Sequence, residues 1–191
     1  MTRRAQAPPS ILAGVFSRWL SSPRNDRRWR VAVAAHAAAV IFLVGMIWTV
    51  HLIHYPLFAE VGPAEYVSFQ AEHVRRIGAL LLAPWVAEGV TTAALLLLAR
   101  SRRECVIVLA ISATAAGVLL ISGLASAPAH ADLADGFDPD VHGRLMDWNL
   151  LRALLWTANG VLSAALVWGL VAHGSRPPMS GVAPLAQPDS I

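Results

Sequence analysis

The chain has 191 residues, 56% hydrophobic and only 14% charged, with a mean hydropathy of +0.54. Soluble domains carry about 25% charged residues, so this length describes one small membrane domain and excludes two soluble ones. All 15 basic residues are arginine, and their segregation along the chain accounts for a pI near 10.0 without a nucleic-acid partner. The single Cys105 excludes an intramolecular disulfide and any multi-cysteine zinc or iron–sulfur site.

Residues 1–30 carry seven arginines ahead of the first long apolar run. That run is too long for the core of a cleaved secretory signal, so it reads as a retained anchor. Within this cytoplasmic, arginine-rich segment Ser10 follows Pro8-Pro9 and could cap a short helix. Ile11, Leu12, Val15, Phe16, Trp19 and Leu20 would form its apolar face, lying on the membrane surface. A disordered basic tail is the alternative.

Four spans follow, at residues 31–54, 77–99, 105–124 and 150–171. Each meets the roughly 20 apolar residues a helix needs to cross the hydrocarbon. Eleven of the 15 arginines lie before the first span, between the second and third, or after the fourth. The bias places both termini in the cytoplasm. The opposite loops hold Glu60, Glu65, Glu72, Asp132, Asp135, Asp138, Asp140 and Asp147. The expected fold is therefore all-α, an integral membrane four-helix bundle over residues 31–172, multi-pass in the plasma membrane. Residues 173–191, with Pro177-Pro178, Pro184 and Pro188, read as a disordered tail.

Polar groups within spans usually face the bundle interior. At about 100° per residue, His36, His51 and His54 fall on one side of the first span. Tyr66, Gln70, His73, Pro84 and Glu88 form a stripe on the second, extended back into its loop. Asn149, Arg152, Trp156, Asn159 and Ser163 form one on the fourth. The third span offers only Ser112, Thr114 and Ser122, and its Gly117, Gly123 and Ala115-Ala116 suit close helix approach. Glu88 lies twelve residues inside Arg76, near mid-depth. Asn159 at similar depth is its nearest expected partner, with a histidine of the first span a more distant one. Pro84 is expected to kink the helix there.

The stretch His51-Leu-Ile-His54-Tyr55-Pro56 and the following His73 place three of seven histidines within 23 residues. His51 and His54, at i and i+3, have a spacing two metal ligands can use. His73 and His142 approach the same rim, with His130 a weaker candidate. Taken singly each reads as an interfacial histidine bonded to water or headgroups. As a cluster, His51, His54, His73 and His142 read as a metal set, for iron, copper or zinc. Arg152 reads either as a clamp on Asp147 or Glu72, or as the holder of an anionic or enolate-bearing substrate. The acidic Asp138-Pro139-Asp140 loop lacks calcium-loop spacing and reads as solvated.

The four short spans, with Trp148-Asn149-Leu-Leu-Arg152 opening the last, resemble the small bacterial and fungal membrane proteins grouped with anthrone oxygenases. The resemblance covers the layout and this motif, not the His51–Pro56 stretch. It implies oxygenation of an aromatic or polyketide-like substrate. The leading expectation is a membrane-embedded oxidoreductase acting on a lipophilic small molecule at a metal-binding site on the extracytoplasmic side. Arg152 would orient the substrate and Glu88 would move protons or support the inner wall. Competing readings are a proton-coupled solute module using Glu88, which with four spans would need to form a homo-oligomer, a b-type haem protein using paired histidines, and an accessory subunit of a membrane complex.

Overall fold

The computed structural model describes residues 26–174, which are helical apart from short connections and contain no strand. The surface helix expected over residues 10–20, and residues 175–191 of the expected tail, lie outside the described residues. Helix α1 (Asp26–Thr49) continues through a π turn (Val50–His54) and a 3-10 turn (Pro56–Glu60). Helix α2 spans Pro63–Leu98, α3 spans Arg102–Ile121, and a second π turn (Ser122–Ser126) leads into the short α4 (Ala127–Asp132). A 3-10 turn (Leu133–Asp135) then precedes α5 (Pro139–Gly174).

Four helical stretches are long and apolar enough to cross a membrane: Asp26–Glu60, Pro63–Leu98, Arg102–Asp135 and Pro139–Ala172. Each runs to 34–36 residues, roughly 50 Å at 1.5 Å per residue, against about 30 Å of hydrocarbon. Residues 63–76 and 139–149, expected as loops, are therefore helix. Pro63 at the first turn starts α2 where its missing N–H costs nothing, and Tyr66, Gln70 and His73 continue the buried stripe that leads to Glu88. Helix α2 passes through Pro84 without a break.

Both π turns are capped by the residue directly before a proline, Tyr55 before Pro56 and Ala127 before Pro128. A proline ring clashes with the carbonyl four residues back and brings no N–H to it. The preceding turn widens instead, and the N–H of Tyr55 reaches back five residues to the carbonyl of Val50 at 2.8 Å. Such widened turns redirect the side chains that follow. Here they aim His54, Tyr55 and His130 at one another.

Caps set the helix starts. Ser101 Oγ accepts from the Glu104 N–H while Glu104 Oε2 accepts from the Ser101 N–H, a reciprocal box at the start of α3. At α5, Asp138 Oδ1 accepts from the N–H groups of Asp140 and Val141 at 2.8 and 3.0 Å. These backbone bonds hold its carboxyl below the usual carboxylate range. The acidic loop is thus a helix cap.

The core is layered. At the arginine-rich end Trp29, Val33, Leu95, Ala99, Val108, Ile111 and Leu166 pack together. Leu43, Ile47, Leu81, Val118, Ala153 and Trp156 fill the middle. Tyr55, Phe58, Tyr66, Leu133 and Leu145 lead the layer at the histidine-rich end. Gly117 lies so close to α5 that a Cβ there would stand 3.1 Å from Leu155, the close approach its size was expected to serve. Gly123 has open space around it.

Candidate functional site

The polar residues form two connected groups, one at mid-depth and one at the histidine-rich end. At mid-depth Glu88 is buried and accepts from Asn159 Nδ2 at 3.0 Å, as its position predicted. The Trp156 indole N–H also donates to it, 3.2 Å from each carboxylate oxygen. Beyond Asn159, its Oδ1 lies 3.3 Å from His36 Nε2, and His36 Nδ1 lies 3.0 Å from Thr91 Oγ1. Ser163 donates to the Asn159 carbonyl. The network joins α1, α2 and α5, and the apolar layer of Trp29, Val33, Leu95 and Leu166 closes it off on the arginine-rich side.

At the histidine-rich end His54 Nε2 lies 2.8 Å from His73 Nδ1. The Gln70 amide nitrogen reaches both His130 Nδ1 at 3.0 Å and the His130 carbonyl at 3.2 Å. As a donor to Nδ1 it leaves His130 Nε2 carrying the proton and donating to the Tyr55 hydroxyl at 2.9 Å. Arg152, from α5, lines the same cavity as Tyr55 and lies over the Trp156 ring, 5.7 Å from its centroid. Trp156 therefore touches both groups. Rings of Tyr55, Phe58 and His73 pack within 4.9–5.9 Å of one another, and His54 and His130 each lie within 4.8–6.5 Å of all three.

The four histidines read as a metal set are not brought together as one. His54 and His73 meet each other. His142 donates its Nε2 proton to the Tyr55 carbonyl at 2.8 Å and lies against Phe58. His51 turns to Trp48, edge to face at 5.9 Å. Among the described residues no three His, Cys, Asp or Glu side chains are grouped so as to hold a metal ion. Imidazole nitrogens bound to one metal at roughly 2.0–2.1 Å each stand further apart than the 2.8 Å between His54 and His73. That spacing suits a shared proton and leaves no room for a metal or a haem iron between the two rings. Arg152 pairs with neither carboxylate expected of it; Glu72 is instead held on the surface by Arg75 and Arg76.

Two spaces adjoin these groups. A cleft of about 370 Å³ is lined by Phe69, Ile77 and Leu80 together with His54, His73, Glu72 and Arg76. Ile77 also borders an inner cavity of about 130 Å³ that reaches Tyr55, Ser126, His130 and Arg152. Among the described residues several buried polar atoms towards this end have no hydrogen-bond partner: Tyr66 Oη, Gln70 Oε1, His73 Nε2, Ser126 Oγ, both amide atoms of Asn149 and Arg152 Nε. Each such atom costs about 1–3 kcal/mol when left unsatisfied. Their concentration at one end marks a place built to receive polar groups.

Sequence reasoning missed Tyr55 as a site residue, ranked His130 too low and left out Thr91. The signal for the first two was present in Tyr55-Pro56 and Ala127-Pro128, each proline opening the turn before it. No family model matches the chain, and neither a curated protein nor a solved structure matches it.

Proposed function

We propose that the chain is a multi-pass plasma-membrane oxidoreductase of the oxygenase type, both termini cytoplasmic, acting on a lipophilic molecule with an acidic C–H group. The observation that carries the reading is the His54–His73 pair lining a cleft with Phe69, Ile77 and Leu80. A substrate dissolved in lipid enters between Phe69, Ile77 and Leu80 without crossing water. His73 Nε2, buried and unpartnered, takes the proton from carbon, and the Nδ1 proton passes to His54 Nε2 at the more exposed end of the pair. The oxygen-centred negative charge left on the substrate is met by Arg152 and by the hydroxyl hydrogen of Tyr55, whose oxygen accepts from His130.

The stabilised carbanion then reduces dioxygen to a substrate hydroperoxide. Loss of water leaves a carbonyl, so CH₂ and O₂ yield C=O and H₂O with no further reductant. The likeness of the Trp148–Arg152 motif and the four-span layout to anthrone oxygenases supports this chemistry. No step above passes through a metal, because the histidines do not form a ligand set.

The transport reading fares less well. Glu88 and Asn159 do lie at mid-depth, but their network ends on an apolar layer rather than on a second polar opening.

The test is oxygen uptake by the purified full-length protein with a tricyclic anthrone as probe. One O₂ consumed per ketone formed, lost in His73→Gln, is the expected result. No uptake above the uncatalysed rate rejects the oxygenase reading. A stoichiometric metal that is retained by the wild type and lost in His54→Ala/His73→Ala would replace the base with a metal.

A further inference from the structure

A second opening lies at mid-depth on another face of the bundle, between α2 and α3, and the oxidoreductase reading makes no use of it. It encloses about 370 Å³, walled by Leu82, Trp85 and Leu119 and floored by Gly89, Ala115 and Ala116. The small residues explain the gap, since a Cβ built on Gly89 meets nothing within 4 Å. Leu82 and Leu119 are well exposed at its mouth, so the groove opens towards lipid in a membrane-spanning bundle.

Two side chains in this lining, Glu88 and Thr92, carry oxygen acceptors. Glu88 takes N–H donors from Trp156 and Asn159, and among the described residues its carboxyl has no hydrogen bond to an acceptor. Both of these partners are neutral, so no cation touches the charge directly. Thr92 Oγ1, one turn further along α2, is buried and has no partner among the described residues. A buried carboxylate is stable only with a counter-charge or enough donors. An apolar slot with two acceptors one turn apart fits a primary ammonium, whose three N–H groups can bond to both.

Depth decides the source. Glu88 lies twelve residues inside Arg76, roughly 18 Å along the helix, beyond the reach of a phospholipid headgroup. We propose that this groove binds a free lipophilic primary amine, its ammonium bonded to Glu88 and Thr92 and its chain lying between Leu82 and Leu119.

The experiment uses full-length protein in phosphatidylcholine liposomes. Dicyclohexylcarbodiimide, which partitions into hydrocarbon, should modify Glu88, read by peptide mass, whereas a water-soluble carbodiimide should not. Dodecylamine should slow that modification at least tenfold and dodecanol less than twofold. Ala116→Leu fills the slot and should abolish the protection. Thr92→Val, which leaves Glu88 and its partners intact, should weaken it about tenfold. Dodecylamine should also raise the melting temperature of the wild type but not of Glu88→Gln, which gives a readout apart from labelling. Absence of Glu88 modification, equal protection by dodecanol, or undiminished protection in Ala116→Leu would overturn the proposal. Protection should persist in His73→Gln, so its failure is separable from failure of the oxidoreductase reading.

Discussion

His54 and His73 share a hydrogen bond of 2.8 Å between ring nitrogens, one ring carried by a π turn and the other by α2. The contact places one imidazole towards the open cleft and leaves the far nitrogen of the other buried and unpartnered. Polarity thus runs inward through the pair, which is what a base with an exit route for its proton requires.

His73→Gln keeps a polar side chain of similar reach but removes the base. Turnover in the oxygen-uptake assay is expected to fall about 10²–10⁴-fold, the usual worth of general base catalysis. His54→Gln should fall less, because His73 still meets the substrate. It should also steepen the loss of rate as pH falls, a change visible in the pH profile of kcat.

Arg152→Lys retains the charge but not the planar fork. Binding of an oxyanion through Arg152 is worth about 1.5–3 kcal/mol as a hydrogen bond to a charged group. kcat/KM should therefore fall at least tenfold, while melting of the detergent-solubilised protein changes little. A wild-type kcat/KM would remove Arg152 from the site.

Asn159 links Glu88 to His36 across the bundle. Asn159→Ala leaves His36 Nε2 unpaired while Glu88 keeps Trp156, and about 1–3 kcal/mol of stability should be lost for the buried group left without a partner. A double-mutant cycle of Asn159→Ala with His36→Phe should show less than additive loss.

Gly117 and Gly123 lie on the same helical stretch but differ in surroundings. Gly123→Ala meets open space and should stabilise the π turn region slightly, by up to about 0.5–1 kcal/mol from reduced backbone freedom. At Gly117 the same methyl presses on Leu155, which should cancel the gain or reverse it. Paired thermal melts check the difference.

Asp138 caps α5 through two backbone N–H groups that hold its carboxyl below the ordinary range. A depressed folded-state pKa means the cap contributes above the ordinary carboxylate pKa and fades as pH drops through the folded value. The melting difference between wild type and Asp138→Ala should shrink towards zero at acid pH and be constant near neutrality.

Hydrophobic run lengths were enough to place four membrane-compatible helices, and the 3.6-residue period was enough to put Glu88, Asn159, His73 and Arg152 on interior faces. Both follow from covalent geometry and from the cost of exposing polar groups to hydrocarbon, which act along a single helix. How far the helices run beyond the hydrocarbon was not legible, because residues 63–76 are mixed in polarity and only their packed stripe shows them to be helix.

Partner choice was decided by tertiary structure. Whether His54 meets His73, His51 or His142 depends on a rotation of a few tens of degrees. The π turn before Pro56 sets that rotation, and the packing of Phe58 and Tyr55 sustains it. The same rotation gives His142 to a backbone carbonyl and draws His130 to Tyr55. Sequence determined the membrane-compatible bundle and which faces are polar, since those are properties of each helix alone. Only the assembled bundle decided that His54 meets His73 while His142 meets a backbone carbonyl and His51 meets Trp48, since that rests on angles between helices that no single helix contains.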